Sequence, residues 1–94
     1  MSKLYKFNKD VVTRFESRIE DGMYFLFNVS RNELWTGNTS SHVLLNNFKR
    51  KMSVKTALDS SFDNFDLEYS ALENMLSKLV DDLVAKGFLD CYDE

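Results

Sequence analysis

The sequence contains few of the residues that form disulfide bonds, metal sites, rigid turns or phosphate-binding loops. It contains no proline, three glycines, one cysteine (Cys91) and one histidine (His42). One cysteine cannot form an intramolecular disulfide, and Cys91 with His42 falls short of a four-ligand zinc site. The glycines are isolated, so no glycine-rich loop is available to hold a phosphate. We therefore expect neither a metal nor a cofactor.

Long apolar runs are also absent. No window reaches the ~18 apolar residues that a membrane span needs, and residues 1–8 mix lysines with apolar side chains where a signal peptide would be uniformly apolar. The sequence therefore predicts a cytoplasmic protein that does not enter a membrane.

The side chains that could carry catalysis do not form a recognisable pair. His42 follows two serines and is expected at the rim of the fold, and Asp81 and Asp82 are expected on a solvated helix face. Cys91 lies in an acidic tail without the basic neighbours that activate a thiol. We therefore expect that the chain is not an enzyme.

What the chain has in quantity is aromatic and apolar surface. Its 94 residues include eight Phe, four Tyr and one Trp, and 44% are hydrophobic, which is enough for a core. The net charge of −3 argues against nucleic-acid binding, and the one basic run, Lys49-Arg50-Lys51, is expected at a helix end. Residues 1–94 are predicted to form one domain with its core at about 10–89, a short N-terminal segment and the acidic tail Asp90–Glu94.

The first half of the chain has strand-like patterns. Residues Val11–Ile19 alternate with period two and precede the turn Asp21-Gly22, although Val12, Phe15 and Ile19 also fit one face of a helix. Residues Met23–Phe27 are apolar on both faces, which is typical of a central strand covered on both sides. With Glu33–Thr36 as the third strand, an antiparallel meander results, and its last strand has one free edge.

The second half has helical patterns. The first helix is capped by Asn38, Thr39 or Ser40 and carries Arg50-Lys51 in its last turn, and Ser53 caps the second helix. The third helix is predicted over about Leu67–Lys86, with Asp66 as its cap and Gly87 as its end. Its apolar stripe is mostly core, but it is wide enough for part of it to line a groove.

This order of elements resembles the PqqD-like family, whose members are small winged-helix domains also called RiPP recognition elements. The resemblance lies in nearly the whole chain, residues 10–89. It is carried by the hairpin signal after Val11–Ile19, the strand Met23–Phe27, Asn38 at the strand-to-helix junction, Ser53-Val54, and Leu76, Leu79 and Leu83 before Lys86-Gly87-Phe88-Leu89. It implies a winged helix-turn-helix-like α+β fold, with a three-stranded antiparallel β-meander followed by three helices.

The resemblance also implies a function. Such domains are noncatalytic adaptors that bind the leader segment of a ribosomally synthesised precursor peptide and present it to a modifying enzyme of the radical SAM or cyclodehydratase type. The leader pairs with the third strand and lies against the third helix. In this chain those positions are Glu33, Leu34, Trp35 and Thr36 on the strand and Leu72, Met75, Leu76 and Leu79 on the helix.

Alternatives remain open from the sequence. Trp35 suits either the core or a contact surface, and a free strand edge could instead support a homodimer. A winged helix-turn-helix DNA-binding regulator is the alternative function, although its candidate recognition helices are acidic or neutral.

Overall fold

Five strands and three α-helices make up the residues that the computed structural model describes, 3–19 and 21–93. Residues 1, 2, 20 and 94 of the predicted domain lie outside this description. The strands are β1 (Lys3–Phe7), β2 (Val11–Glu16), β3 (Met23–Asn28), β4 (Glu33–Gly37) and β5 (Leu89–Asp93). The helices are α1 (Thr39–Leu45), α2 (Val54–Ser61) and α3 (Tyr69–Ala85), and short 3₁₀ turns (Asn46–Lys49 and Phe62–Asn64) follow α1 and α2. The chain is an α+β domain with antiparallel sheets and three helices.

One sheet has the order β2-β3-β4 with both pairs antiparallel. The strand interpretation of the segment after Val11 is confirmed, but β2 ends at Glu16, three residues before Ile19. The turn into β3 uses positive φ at Asp21 (66°) and Gly22 (120°), where glycine has no side chain to clash. This hairpin positions β3 between its two neighbours.

The prediction that β3 is covered on both faces is wrong. Tyr24 and Leu26 point to the inner face and are buried, whereas Phe25 and Phe27 point to the outer face and are only half-buried. The helices pack on the inner face alone, because the apolar area of one small domain covers only one side of a three-stranded sheet.

The sequence analysis missed a second sheet. β1 and β5 pair antiparallel from Lys3↔Asp93 to Phe7↔Leu89, so residues 3–7 of the N-terminal segment and residues 90–93 of the acidic tail lie in strands. Tyr5 also exchanges two backbone hydrogen bonds with Met52, of 2.8 and 3.0 Å. Both strands are short, and their pairing joins opposite ends of the chain, which no local pattern reveals.

The helix ends follow the predicted capping chemistry in part. The side chains of Asn38 and Ser53 accept hydrogen bonds from the backbone N–H groups of Ser41 and Thr56, at 2.9 and 3.1 Å, and cap α1 and α2. Three details of the prediction are wrong. Arg50 and Lys51 lie beyond the last turn, because the first helix tightens to a 3₁₀ turn and ends at Lys49. The N-cap position of α3 is held by Glu68 and not by Asp66, without a capping hydrogen bond from its side chain, and the helix begins two residues later than predicted.

The end of α3 is a Schellman motif. Gly87 has φ of 85°, its N–H donates to Val84 O, and the N–H of Phe88 donates to Leu83 O at 2.8 Å. The predicted return of Phe88 and Leu89 to the core is confirmed, since each is 1% exposed.

The core lies between the inner face of the β2-β3-β4 sheet and the three helices. Its largest fully buried side chains are Tyr24, Leu26, Leu44, Leu45, Phe48, Leu58, Leu72, Leu76, Val80, Leu83, Phe88 and Leu89. None of the helices in the described part of the chain has both the length and the apolarity that crossing a bilayer requires.

Candidate functional site

The outer edge of β4 is unpaired within the described residues. β4 bonds to β3 over Glu33–Gly37, and no other described strand adjoins it. In an antiparallel sheet, alternate residues of an edge strand direct both their N–H and C=O groups away from the sheet. The edge therefore offers backbone donors and acceptors to an additional strand.

Contacts at both ends place β4 beside α3. Before the strand, Arg31 Nη1 donates to Lys86 O at the end of α3, at 2.9 Å. After the strand, Asn38 lines the same groove as Lys78 and Asp82 of α3. The residues that flank β4 at both ends therefore lie near the C-terminal half of this helix.

The groove between α1 and α3 has a volume of about 470 Å³ and is lined mainly by apolar atoms. Its apolar walls come from Leu44, Met75 and Leu79. Its polar lining comes from Asn38, Ser40 and Ser41 at the start of α1 and from Lys78 and Asp82 on α3. A cavity of this size accommodates one or two large side chains of an incoming chain.

The strand residues predicted for the site divide between the two faces of the sheet. Trp35 lies on the inner face, partly buried against the core, and its indole covers Gly37 beside Ser41. Leu34 and Thr36 point to the outer face and are exposed. Glu33, at the start of β4, is exposed and pairs with Arg31 at 3.7 Å. The indole of Trp35 therefore lies close to Ser41, which lines the groove.

The helix residues predicted for the site divide by burial. Met75 is 43% exposed and Leu79 is partly buried, and both line the groove. Leu72 and Leu76 have no exposed area and belong to the core cluster. Only Met75 and Leu79 of the four are therefore accessible to a ligand in this conformation.

The sequence analysis missed the contribution of α1 to this groove. Ser40, Ser41 and Leu44 lie in a stretch whose pattern predicts only the start of a helix. Asp82 was expected on a solvated helix face, and Lys78 was given no role. Asp82 pairs with Lys86 at 3.1 Å, which leaves Lys78 as the groove cation without an ion pair among the described residues.

His42 on α1 was expected at the surface or the rim of the fold, and it is partly exposed. Its ring stacks on Phe15 with centroids 4.1 Å apart and packs against Tyr24 at 4.9 Å. Burial, with a smaller contribution from Lys49, lowers the pKa of His42, and burial raises the pKa of Tyr24 to about 12. Both rings therefore serve as neutral packing groups at neutral pH.

Within residues 3–19 and 21–93, no three His, Cys, Asp or Glu side chains come together in a way that could hold a metal ion. Comparison of the chain with protein-family models, with curated proteins and with solved structures yields no match.

Proposed function

We propose that this protein is a noncatalytic adaptor that binds an extended peptide by strand addition to β4. The peptide is the leader segment of a ribosomally synthesised precursor, which the adaptor presents to a modifying enzyme. The observation that carries the proposal is the free β4 edge beside α3, with an apolar groove opening at the end of the strand.

Strand addition divides affinity and specificity between two parts of this site. The backbone groups of β4 bind any extended chain, whereas the groove selects side chains at particular positions. Met75 suits an adaptable wall, because methionine is flexible and polarisable. A peptide that becomes ordered on binding loses conformational entropy, so we expect roughly micromolar affinity.

The resemblance to the PqqD-like family supports the same proposal. The order β2-β3-β4 followed by α1, α2 and α3 agrees with the meander and the helices of a winged-helix arrangement. β1 and β5 are additions to that pattern. The DNA-binding alternative receives less support, since α2 pairs its Lys55 with Asp59 and α3 exposes Glu73 and Asp81.

The proposal is tested by titrating the isotopically labelled protein with the leader of a precursor peptide encoded next to its gene. We expect amide NMR signals of Glu33–Gly37 and of α3 around Met75–Asp82 to shift, because the peptide would pair with the first and contact the second. Saturating leader that shifts only signals elsewhere would contradict the proposal.

A matched pair of variants distinguishes a charge placed in the groove wall from the same charge placed elsewhere on α3. Met75→Asp places a charge in the apolar wall and is expected to weaken leader binding by about tenfold or more. Asn74→Asp adds the same charge one residue away, outside the groove lining, and is expected to bind as the unmodified protein does. Calorimetric titration measures both, and equal affinities would remove the groove from the proposed site.

A further inference from the structure

The direction of the backbone groups in β3 follows from one hydrogen bond at the end of the β2–β3 ladder. The pairing Val11↔Asn28 continues to Asp10 and Val29, and the Val29 N–H donates to Asp10 O at 3.0 Å. In an antiparallel ladder, such a bond between directly opposite residues marks a hydrogen-bonded pair, and these pairs alternate with non-bonded ones. Asn28 is the next residue along the chain, so its backbone groups point away from β2 and towards β4.

The same alternation identifies the outward groups of β4. The β3–β4 register is unbroken over Glu33–Gly37, so every second residue of β4 from Glu33, the partner of Asn28, bonds to β3. The residues between them, Leu34 and Thr36, direct their N–H and C=O groups to the free edge, and both residues are exposed. The edge therefore offers one donor and one acceptor from each of these two residues.

An added strand would alternate its side chains between the two faces of the sheet in step with β4. Peptide residues opposite Trp35 and Gly37 would then project to the inner face, where the indole of Trp35 lies. A Cβ atom at Gly37 would lie 2.9 Å from Ser41 Cβ, and Ser41 lines the groove between α1 and α3 together with Met75. The peptide side chain opposite Gly37 is therefore the one nearest to the apolar walls of the groove.

We propose that β4 selects an antiparallel peptide segment with two large apolar residues separated by one other residue. This inference rests on the proposed function and specifies its ligand. The first apolar residue lies opposite Gly37 and enters the groove, and the second lies opposite Trp35 and packs on its indole. An antiparallel orientation continues the pairing of the whole sheet and is the more stable one.

The residue between the two apolar ones has a different task. It lies opposite Thr36 and exchanges both backbone hydrogen bonds with it, so it needs its N–H group. The N–H groups of the two apolar residues point away from β4. The recognition sequence is therefore defined by side chains at two positions and by the backbone at the position between them.

A proline at the free edge tests the part of β4 in this scheme. Thr36→Pro replaces one outward N–H by a ring carbon and leaves the bonds to β3 intact, and edge strands tolerate proline at such positions. We expect calorimetric titration to show that it binds the same leader peptide at least about tenfold more weakly. Thr36→Val keeps the N–H group and the β-branched shape, and it should bind as the unmodified protein does. Unshifted amide signals of β3 verify that both variants are folded.

Leader variants test the same scheme on the unmodified protein. N-methylation of the residue between the two apolar ones should weaken binding at least about tenfold, whereas N-methylation of either apolar residue should change it by less than about threefold. Alanine in place of either apolar residue should also weaken binding about tenfold or more, because it removes buried apolar area. These measurements decide the question by themselves if Thr36→Pro does not fold.

The outcomes separate this inference from the proposed function. A leader that leaves the amide signals of Glu33–Gly37 unshifted contradicts both. A leader that shifts those signals but binds Thr36→Pro as tightly as Thr36→Val overturns this inference alone. The inference is also wrong if the bound segment has no two apolar residues with this spacing, or if N-methylation is harmful at the apolar residues themselves, which would indicate a parallel strand.

Discussion

Asn28 is a buried polar residue that joins the β3–β4 turn to the end of α3. It is 1% exposed, its Nδ2 donates to Gly87 O at 2.9 Å, and its Oδ1 accepts from the Arg31 N–H and the Ser30 hydroxyl at 3.1 and 3.0 Å. A buried amide with both ends satisfied fixes the orientation of the elements it connects. Here it holds the start of β4 against α3.

We predict that Asn28→Ala lowers the free energy of unfolding by about 2–3 kcal/mol, because it leaves buried donors and acceptors without partners. Asn74→Ala, on the exposed side of α3, is the control and should change it by less than about 0.5 kcal/mol. Urea denaturation followed by circular dichroism measures both. Similar values for the two variants would show that the Asn28 network does not stabilise the fold.

At the scale of elements, the β1–β5 sheet joins two strands that are more than 80 residues apart in the sequence. Asn8 Nδ2 donates to both carboxylate oxygens of Asp90, at 3.1 and 3.3 Å, and the Asn8 N–H donates to Phe88 O at 3.0 Å. The backbone N–H and C=O groups of Tyr5 bond to Met52. Because these groups alternate in direction along a strand, those of Leu4 and Lys6 point to β5.

We predict that a chain ending at Leu89 remains folded but loses about 2 kcal/mol of stability, because several backbone hydrogen bonds of β1 have no partner. Amide exchange at Leu4 and Lys6 should accelerate at least about tenfold, whereas amides of β3 serve as the internal reference. Unchanged exchange at Leu4 and Lys6 would mean that β5 does not hold β1 in place.

At the scale of the whole molecule, the pKa of His42 links pH to global stability. Its folded-state pKa lies below the ordinary value of 6.5, because burial against Phe15 and Tyr24, and to a lesser extent Lys49, disfavour the imidazolium. Between the two pKa values the unfolded chain binds more protons than the folded one. The stabilisation is therefore complete above about pH 6.5 and declines as the pH falls through the folded-state pKa.

We predict that the urea midpoint of the unmodified protein is lower at about pH 5.5 than at about pH 7.5, and that His42→Phe reduces this difference. Phenylalanine retains the stacking on Phe15 without a titratable nitrogen, so it is a matched control. An equal pH dependence in the two proteins would assign the effect to other groups.

Local chemistry made part of this molecule predictable. The turn at Asp21-Gly22, the cap at Ser53 and the stop at Gly87 each depend on a few neighbouring atoms and lie where the sequence predicted them. For the first helix the sequence left Asn38, Thr39 and Ser40 open, and the structure selects Asn38. Of the residues predicted for the candidate site, the β4 strand and the apolar stripe that contains Leu72, Met75, Leu76 and Leu79 follow from period alone. The period does not tell which members of the stripe are buried, as Leu72 and Leu76 are, and which line the groove, as Met75 does.

By itself, the sequence determined the class of the fold, the central strands and the helices, because hydrophobic period and capping act within a few residues. Only the tertiary structure decided that the ends of the chain pair as β1 and β5, that α1 forms one wall of the groove, and that the outer face of the sheet stays uncovered. These outcomes depend on which distant surfaces meet once the core is buried. The hydrophobic effect is not directional, so a local sequence pattern does not specify which distant segment will cover it.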